Sequence, residues 1–344
     1  MKRESFLGGA ATTAFALGTA APAGAQELTT VKVGILGIGT DAPVAIADAK
    51  GFFREHGIKI EPIKFTSSET MMPLLSQTGL DIGTGAPGAS LYNAVIRGID
   101  LRAVADAATD PKGFGWSKLL IRTDLIKSGK YKSIKDLKGM TIAGAARASS
   151  SAAQVTRLLA MAGLPYSDVQ RTVLPYGQHV IAFQNGAIEA ALTIEPFATL
   201  AVDAGVAVAV MGNDQFYPDQ EVSCVLCSSS LIKDRRDVIV RYLAGFLKGV
   251  RYYRTGLKNG HFDGPIGNEV AQIIATQTGA AQALVMRTTP ASIDPNGRLN
   301  LASMRADLAF YKSQGFIEGG DITVDRVVDT SLAAEATKII GVAG

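Results

Sequence analysis

Apolar and polar positions between Thr29 and Thr66, "TTVKVGILGIGTDAPVAIADAKGFFREHGIKIEPIKFT", read as a strand, a polar loop, a helix ending at Gly57 and a second strand. That βαβ unit predicts an α/β fold with parallel strands. A helix over Glu69 to Gln77 stops at Gly79, a strand covers Ile82 to Thr84, and Pro87 opens a helix that closes at Gly98. Farther on, "MTIAGAARASSSAAQVTRLLAMAGL" (Met140 to Leu164) passes from a short apolar strand through a Gly, Ala and Ser bend into a helix. Beyond Ser230 the period becomes helical: Val238, Ile239, Tyr242, Leu243, Phe246, Leu247, Val250 and Tyr253 form one apolar stripe. Helical patterns over Asn268 to Thr278, Ser303 to Gln314 and Asp325 to Ile340 are expected to cover the first of two lobes.

One phrase occurs twice. Gln77 to Gly98 and Gln184 to Gly205 each run Gln, any residue, Gly, a nearby carboxylate, a short strand, a tip with Pro, and a helix ended by Gly. They begin about 45 and 44 residues after the strands that open at Lys32 and Met140. Two lobes of related βα topology follow, with strand C-terminal ends facing a shared cleft. The expected division is 26–112 plus 225–344 for the first lobe and 113–224 for the second.

Composition narrows the class. At 344 residues, 47% hydrophobic and 19% charged, the chain is globular, and a net charge of +3 with no basic run gives no footprint for nucleic acid. The opening "MKRESFLGGAATTAFALGTAAPAGAQE" reads as an export leader over residues 1–25, with Ala23-Gly24-Ala25 as the cleavage site and a mature start near Gln26. Lys2-Arg3 before Phe6-Leu7 resembles a twin-arginine signal with lysine in the first place, which leaves the export route open. No later apolar run reaches bilayer length, so a soluble periplasmic product is expected. Cys224 and Cys227 form a C-x-x-C, but "EVSCVLCSSS" reads as a strand. Positions three apart there face opposite ways, roughly 10 Å from each other, too far for a disulfide.

The bend after Met140 is shaped for a ligand, since small residues and a helix start offer close backbone approach and free N–H groups. A nucleotide phosphate, an acyl group attacked by serine, and a solute bound without reaction compete for it. Both phosphate fingerprints are missing, and the glycines of "GILGIGTDA" have the wrong spacing. For serine chemistry the only bases are His56, at a helix end, His261, in a Gly-rich loop, and His179, beside Tyr176 and Gln178; none has a catalytic context. No His, Asp, Glu or Cys cluster has metal spacing, and Tyr253 of the Tyr252-Tyr253 pair belongs to the apolar stripe. Binding without catalysis remains, with no cofactor and no metal.

Five phrases carry a family resemblance: "VKVGILGIGTDAPVAIADAKGFFREHGIKIE", "GLDIGTGAPGASLYNAVIRG", "SIKDLKGMTIAG", "GAIEAALTIEPFATLA" and "PNGRLNLASMRADLAFYKSQGFI". In this order they resemble the solute-binding proteins of nitrate, sulfonate and taurine ABC importers, over nearly the whole mature chain. The resemblance implies a periplasmic-binding-protein type II fold, two βα lobes with a ligand cleft between them. It also implies capture of a small organic anion (a sulfonate, a taurine-like compound, nitrate or an aromatic carboxylate) by a monomer that delivers it to a membrane permease driven by a separate ATPase. The same superfamily includes binders of thiamine-pyrimidine precursors and a pyrimidine synthase with a cysteine-rich motif. This chain lacks that motif, and the precursor reading stands as the alternative.

Carried over position by position, the pattern implies ligand contacts at Gly39, Thr40 and Asp41, at Thr66, Ser67 and Ser68, and at Gly85, Ala86 and Ser90. The other lobe would supply Arg147, Ser149, Ser150, Tyr176, Gln178 and Glu195, with Trp116 at the crossing between lobes. Arg147 with the two serines and a helix start suits an anionic head group, whereas Asp41 and Glu195 suit a cation or several hydroxyls. Thr40 and Ser67 would alternatively cap helices and Asp41 serve as an N-cap, Glu195 would contact ligand or tie the hinge, and Trp116 would stack on a ring or simply pack.

Overall fold

The computed structural model describes residue 1, residues 27–77 and residues 79–344. The leader expected over 1–25 lies outside the described residues apart from Met1. Ten strands matter to the site: β1 (Thr29–Ile35), β2 (Ile58–Lys64), β3 (Ile82–Gly85), β4 (Leu101–Thr109), β5 (Ser117–Arg122), β6 (Thr141–Gly144), β7 (Gln170–Val173), β8 (Ala190–Ile194), β9 (Ala207–Gly212) and β10 (Glu221–Ser228). They form two five-stranded sheets, in the orders β2-β1-β3-β10-β4 and β7-β6-β8-β5-β9.

The two orders are the same order. β1 pairs in parallel with β2 and β3, as β6 does with β7 and β8. In each sheet the fourth strand is antiparallel to its neighbours: β10 between β3 and β4, β5 between β8 and β9. The repeated phrase of the sequence falls on the equivalent strands β3 and β8 and the helices after them, Ala89–Ile96 and Phe197–Asp203.

Each fourth strand is the one by which the chain enters its sheet from the other. The backbone leaves the first sheet after β4 and enters the second through β5; it leaves the second after β9 and returns through β10. Two crossing segments, 110–116 and 213–220, therefore join the units. The division expected between residues 224 and 225 falls inside β10, all of which pairs with the first sheet.

Burial follows the periodicities. The stripe from Val238 to Tyr253 is buried along the helix Arg236–Thr255, which packs against the helices Ala42–Ala49 and Ser331–Ile340 on the first sheet. The helix Leu301–Ser313 departs from expectation. It does not cover the first unit alone but also packs against the helix Ser150–Ala160 of the second, and Phe310 meets the ring of Tyr166 edge-on at 5.4 Å. Its apolar face is shared because Met304, Leu308 and Tyr311 join a core cluster that also holds Leu119, Ile142 and Leu158. Cys224 and Cys227 lie in β10 as free, fully buried thiols, and burial pushes both well above the ordinary thiol range. Among the described residues no helix is long and apolar enough to cross a membrane.

Candidate functional site

The parallel strands of both sheets end at one level, and the antiparallel β5 and β10 begin there. That edge encloses a cavity of about 400 Å³ between the two units. The first unit contributes Leu36, Ile38 and Thr40 after β1, residues 66–69 after β2, and Gly85 and Ala86 at β3. The second contributes Ala145 and Ala146 after β6, Ser149 to Ser151 and Gln154 on the following helix, and Val173, Pro175 and Tyr176 at β7. Trp116 and Ser117 enter with the outgoing crossing, Val222 and Ser223 with the returning one.

Asp41 builds the first wall from behind. Its carboxylate accepts the backbone N–H groups of Leu36, Gly37 and Ile38 at 2.9, 2.7 and 3.2 Å, and the hydroxyl of Thr84 at 2.7 Å. Complete burial pushes its pKa up, and the four hydrogen bonds oppose that shift. Asp41 therefore shapes the loop instead of entering the cavity, and it does so because β1 and β3 are neighbours in the sheet.

Two helix starts face the cavity. At the helix Ser150–Ala160 the Ser149 and Ser151 hydroxyls are 2.9 Å apart, and among the described residues the backbone N–H groups of Ser150 and Ser151 meet no acceptor. At the helix Ser68–Ser76 the Ser67 carbonyl accepts the Thr70 hydroxyl at 2.7 Å, and the N–H groups of Ser68 and Glu69 are likewise open. Such N–H groups carry partial positive charge and suit an anionic or strongly polar group.

The units touch along the cavity rim. The Ala89 N–H donates to the Ala148 carbonyl at 2.9 Å, and a Cβ at Gly88 would lie 3.0 Å from that oxygen, so the approach leaves a side chain there only a tight fit. On the opposite side Lys118 reaches Thr289 at 3.2 Å, and Arg287 meets the Asp203 carboxylate with both terminal nitrogens. Beneath the floor a buried polar network joins the crossings to the second unit. Ser117 donates to Gln154 at 3.0 Å, Gln154 to Gln220 at 2.9 Å, and Gln220 to Asp307 at 2.8 Å. Asp110 accepts from Asn213 at 3.0 Å, and burial lifts its carboxyl to about 7 and that of Asp307 to about 6.

Of the residues implied by the resemblance, Thr40, Thr66, Ser67, Ser68, Gly85, Ala86, Trp116, Ser149, Ser150 and Tyr176 line this cavity. Gly39 lies beside Trp116 in a smaller adjoining pocket with Glu195. The remaining placements correct the expectation. Arg147 is exposed and turns away, its guanidinium 5.8 Å from the centre of the Phe316 ring. Ser90, the second residue of the helix Ala89–Ile96, and the exposed Gln178 both lie outside the cavity wall. Glu195 is 2% exposed and committed: it pairs with Lys118 and accepts the Thr199 N–H and hydroxyl at 3.0 and 2.8 Å, tying the start of the helix Phe197–Asp203. His179 is also committed, to Thr193 at 2.7 Å and the Leu174 carbonyl at 3.1 Å, and burial lowers its pKa to about 4.

Gln154, Ser151, Ser117, Ser223 and Val173 line the cavity without having been singled out in the sequence. Gln154 carried a readable signal, since it follows Ser150 by four and Ser151 by three on one helix face. Ser223 carried none, because β10 reaches the site only through the return crossing.

Two units of one strand order, joined by two crossings and facing each other over a cavity, define a periplasmic-binding-protein fold. Solved structures agree on that fold. The alkanesulfonate-binding protein SsuA from Xanthomonas axonopodis pv. citri aligns with 90% of this chain and 98% of its own at a TM-score of 0.68 and 18% identity. The periplasmic nitrate-binding protein NrtA from Synechocystis PCC 6803 aligns with 92% of this chain and 90% of its own at a TM-score of 0.74 and 15% identity. The chain belongs to the NMT1-like family, whose sequence profile matches residues 24–275. A Brucella abortus protein provisionally named as a binding protein is 26% identical over 206 residues, 58% of this chain and 59% of that protein. The chain thus spans well under two thirds of the curated relatives it matches.

Proposed function

We propose that this chain is the exported solute-binding component of an ABC importer, and that its cavity holds a small organic anion for delivery to a membrane permease with a separate ATPase. The observation that carries the reading is the cavity itself. Its walls come from both units, two helix starts with open N–H groups and a set of hydroxyls face into it, and Trp116 and Tyr176 offer apolar surface for the rest of a ligand. A polar head on N–H groups and hydroxyls with an apolar body against aromatic rings suits a sulfonate or carboxylate of modest size. Fold alone does not separate binding from catalysis, so the reading rests on this lining. His179, the histidine closest in sequence to Tyr176, is engaged at both ring nitrogens and has no serine of the cavity as partner.

A second reading, a thiamine-pyrimidine precursor, is favoured by one feature: no lysine or arginine lines the cavity, which suits a neutral ring between Trp116 and Tyr176. Thermal-shift and calorimetric titration over alkanesulfonates, aromatic carboxylates, nitrate and hydroxymethylpyrimidines separates the two. A ligand at 100 times its Kd stabilises by about 2.7 kcal/mol. The anion reading expects saturable binding of a sulfonate or carboxylate, with the compound recovered unchanged by mass spectrometry. Binding restricted to pyrimidines, or conversion of the compound, overturns it. Export is tested separately: the protein released by osmotic shock should begin near Gln26, and an intact Met1 on cytoplasmic protein would count against it.

A further inference from the structure

The cavity wall holds no lysine or arginine, yet a half-buried arginine whose Nη1 is fully buried lies directly behind it. Arg171 lies on β7 two residues before Val173, hence on the same sheet face, and Val173 lines the cavity. Its side chain reaches across to the end of β6 and lies over Gly144. A Cβ at that glycine would be 2.5 Å from Arg171 Nη2 and 3.0 Å from the Ser151 hydroxyl. Glycine is therefore needed for the guanidinium to sit there, and the seat puts the charge beside a hydroxyl that does face the ligand space.

Nothing in the described chain neutralises it. Nη1 is buried without an acceptor, and the groups that interact with the guanidinium are the phenols of Tyr166 and Tyr176, not a carboxylate. Burial lowers the pKa of Arg171, but a guanidinium keeps its proton in a protein. A guanidinium held against phenols with no carboxylate to balance it is costly to keep out of water, and a chain retains it where an opposite charge arrives from outside.

We infer that Arg171 is the counter-charge for an anionic ligand, acting on the cavity from behind Gly144 and through Ser151 without forming part of its wall. The inference deepens the anion reading above and rests on it. It assigns the charge selectivity of the site to a positioning residue on β7, in place of Arg147 on the bend.

The test is calorimetric titration with ethanesulfonate, benzoate and nitrate, and with the neutral isosteres ethyl methyl sulfone and benzamide. Arg171→Met should weaken anion binding by on the order of tenfold or more, the scale of a charge interaction at partly screened protein dielectric, and leave the neutral isosteres within about threefold. Arg171→Lys should recover most of the anion affinity. Gly144→Ala keeps the charge but displaces it, and should also weaken the anions selectively. The melting temperature of ligand-free Arg171→Met should hold or rise, because a guanidinium with no carboxylate to balance it is gone. Wild-type protein that binds an anion while Arg171→Met binds it equally well, or loses anions and neutral isosteres alike, overturns the inference alone. Wild-type protein that binds none of the anions overturns the anion reading together with it.

Discussion

Replacing Asp41 by Ala removes four hydrogen bonds from one buried carboxylate, three of them to the consecutive amides Leu36, Gly37 and Ile38. Each bond to a charged acceptor contributes about 1.5–3 kcal/mol, but the sum overstates the loss, because the loop is only part-buried and water can reach some of the freed N–H groups. A net cost of about 3–5 kcal/mol is expected, in the range for breaking a buried charge network. For a chain of this length that corresponds to a melting temperature lower by about 4–7 °C. Asp41→Asn, which keeps an acceptor oxygen, should lose roughly half as much. Hydrogen exchange at Leu36 to Ile38 should accelerate selectively in Asp41→Ala. Affinity for the ligand should also fall, since Leu36, Ile38 and Thr40 form the wall that this carboxylate holds. If Asp41→Ala abolishes binding while melting temperature and exchange stay at wild-type values, Asp41 contacts ligand directly and the assignment to the loop is wrong.

Arg147→Ala should leave Kd within about twofold, because its side chain packs on Phe316 outside the cavity; a tenfold loss in titration would contradict that placement. Glu195→Ala should destabilise by about 2–4 kcal/mol in denaturant unfolding, since it strands the half-buried Lys118 and uncaps Thr199; an unchanged midpoint would refute the tie. His179 has a folded pKa of about 4 against an ordinary 6.5, so the folded state holds fewer protons. Its contribution is complete above about pH 6.5, falls with pH and is gone below about 4, a span of roughly 3 kcal/mol. Asp110 and Asp307, raised to about 7 and 6, act in the opposite sense, so the readout is the pH dependence of wild type minus His179→Gln, and a flat difference would refute it. Arg287→Ala breaks an exposed pair across the rim and should leave the melting temperature within error of wild type; a clear drop would show that the pair is more than a surface contact.

Much of the architecture was present in local pattern. The βαβ unit, the strand over Cys224 and Cys227 and the long helix stripe are statements about period, and burial of one face enforces period wherever a chain folds. The repeated phrase at Gln77 and Gln184 likewise marked β3 and β8 as equivalents, since the same turn and helix-stop chemistry serves both units. Ten of the positions implied by the family resemblance line the cavity because they sit at strand ends, and strand ends are legible. Side-chain direction in the loops was not. Arg147 and Arg171 are both arginines near the bend, and nothing local says that Phe316 draws one outward while bare Gly144 seats the other behind the wall. Asp41 reads as a ligand residue until parallel pairing of β1 with β3 brings Thr84 against it, and Glu195 until Lys118 arrives on the neighbouring antiparallel strand. A polar side chain in a loop goes where its unsatisfied hydrogen bonds are met, and those partners come from other segments of the chain, so only the tertiary structure decides.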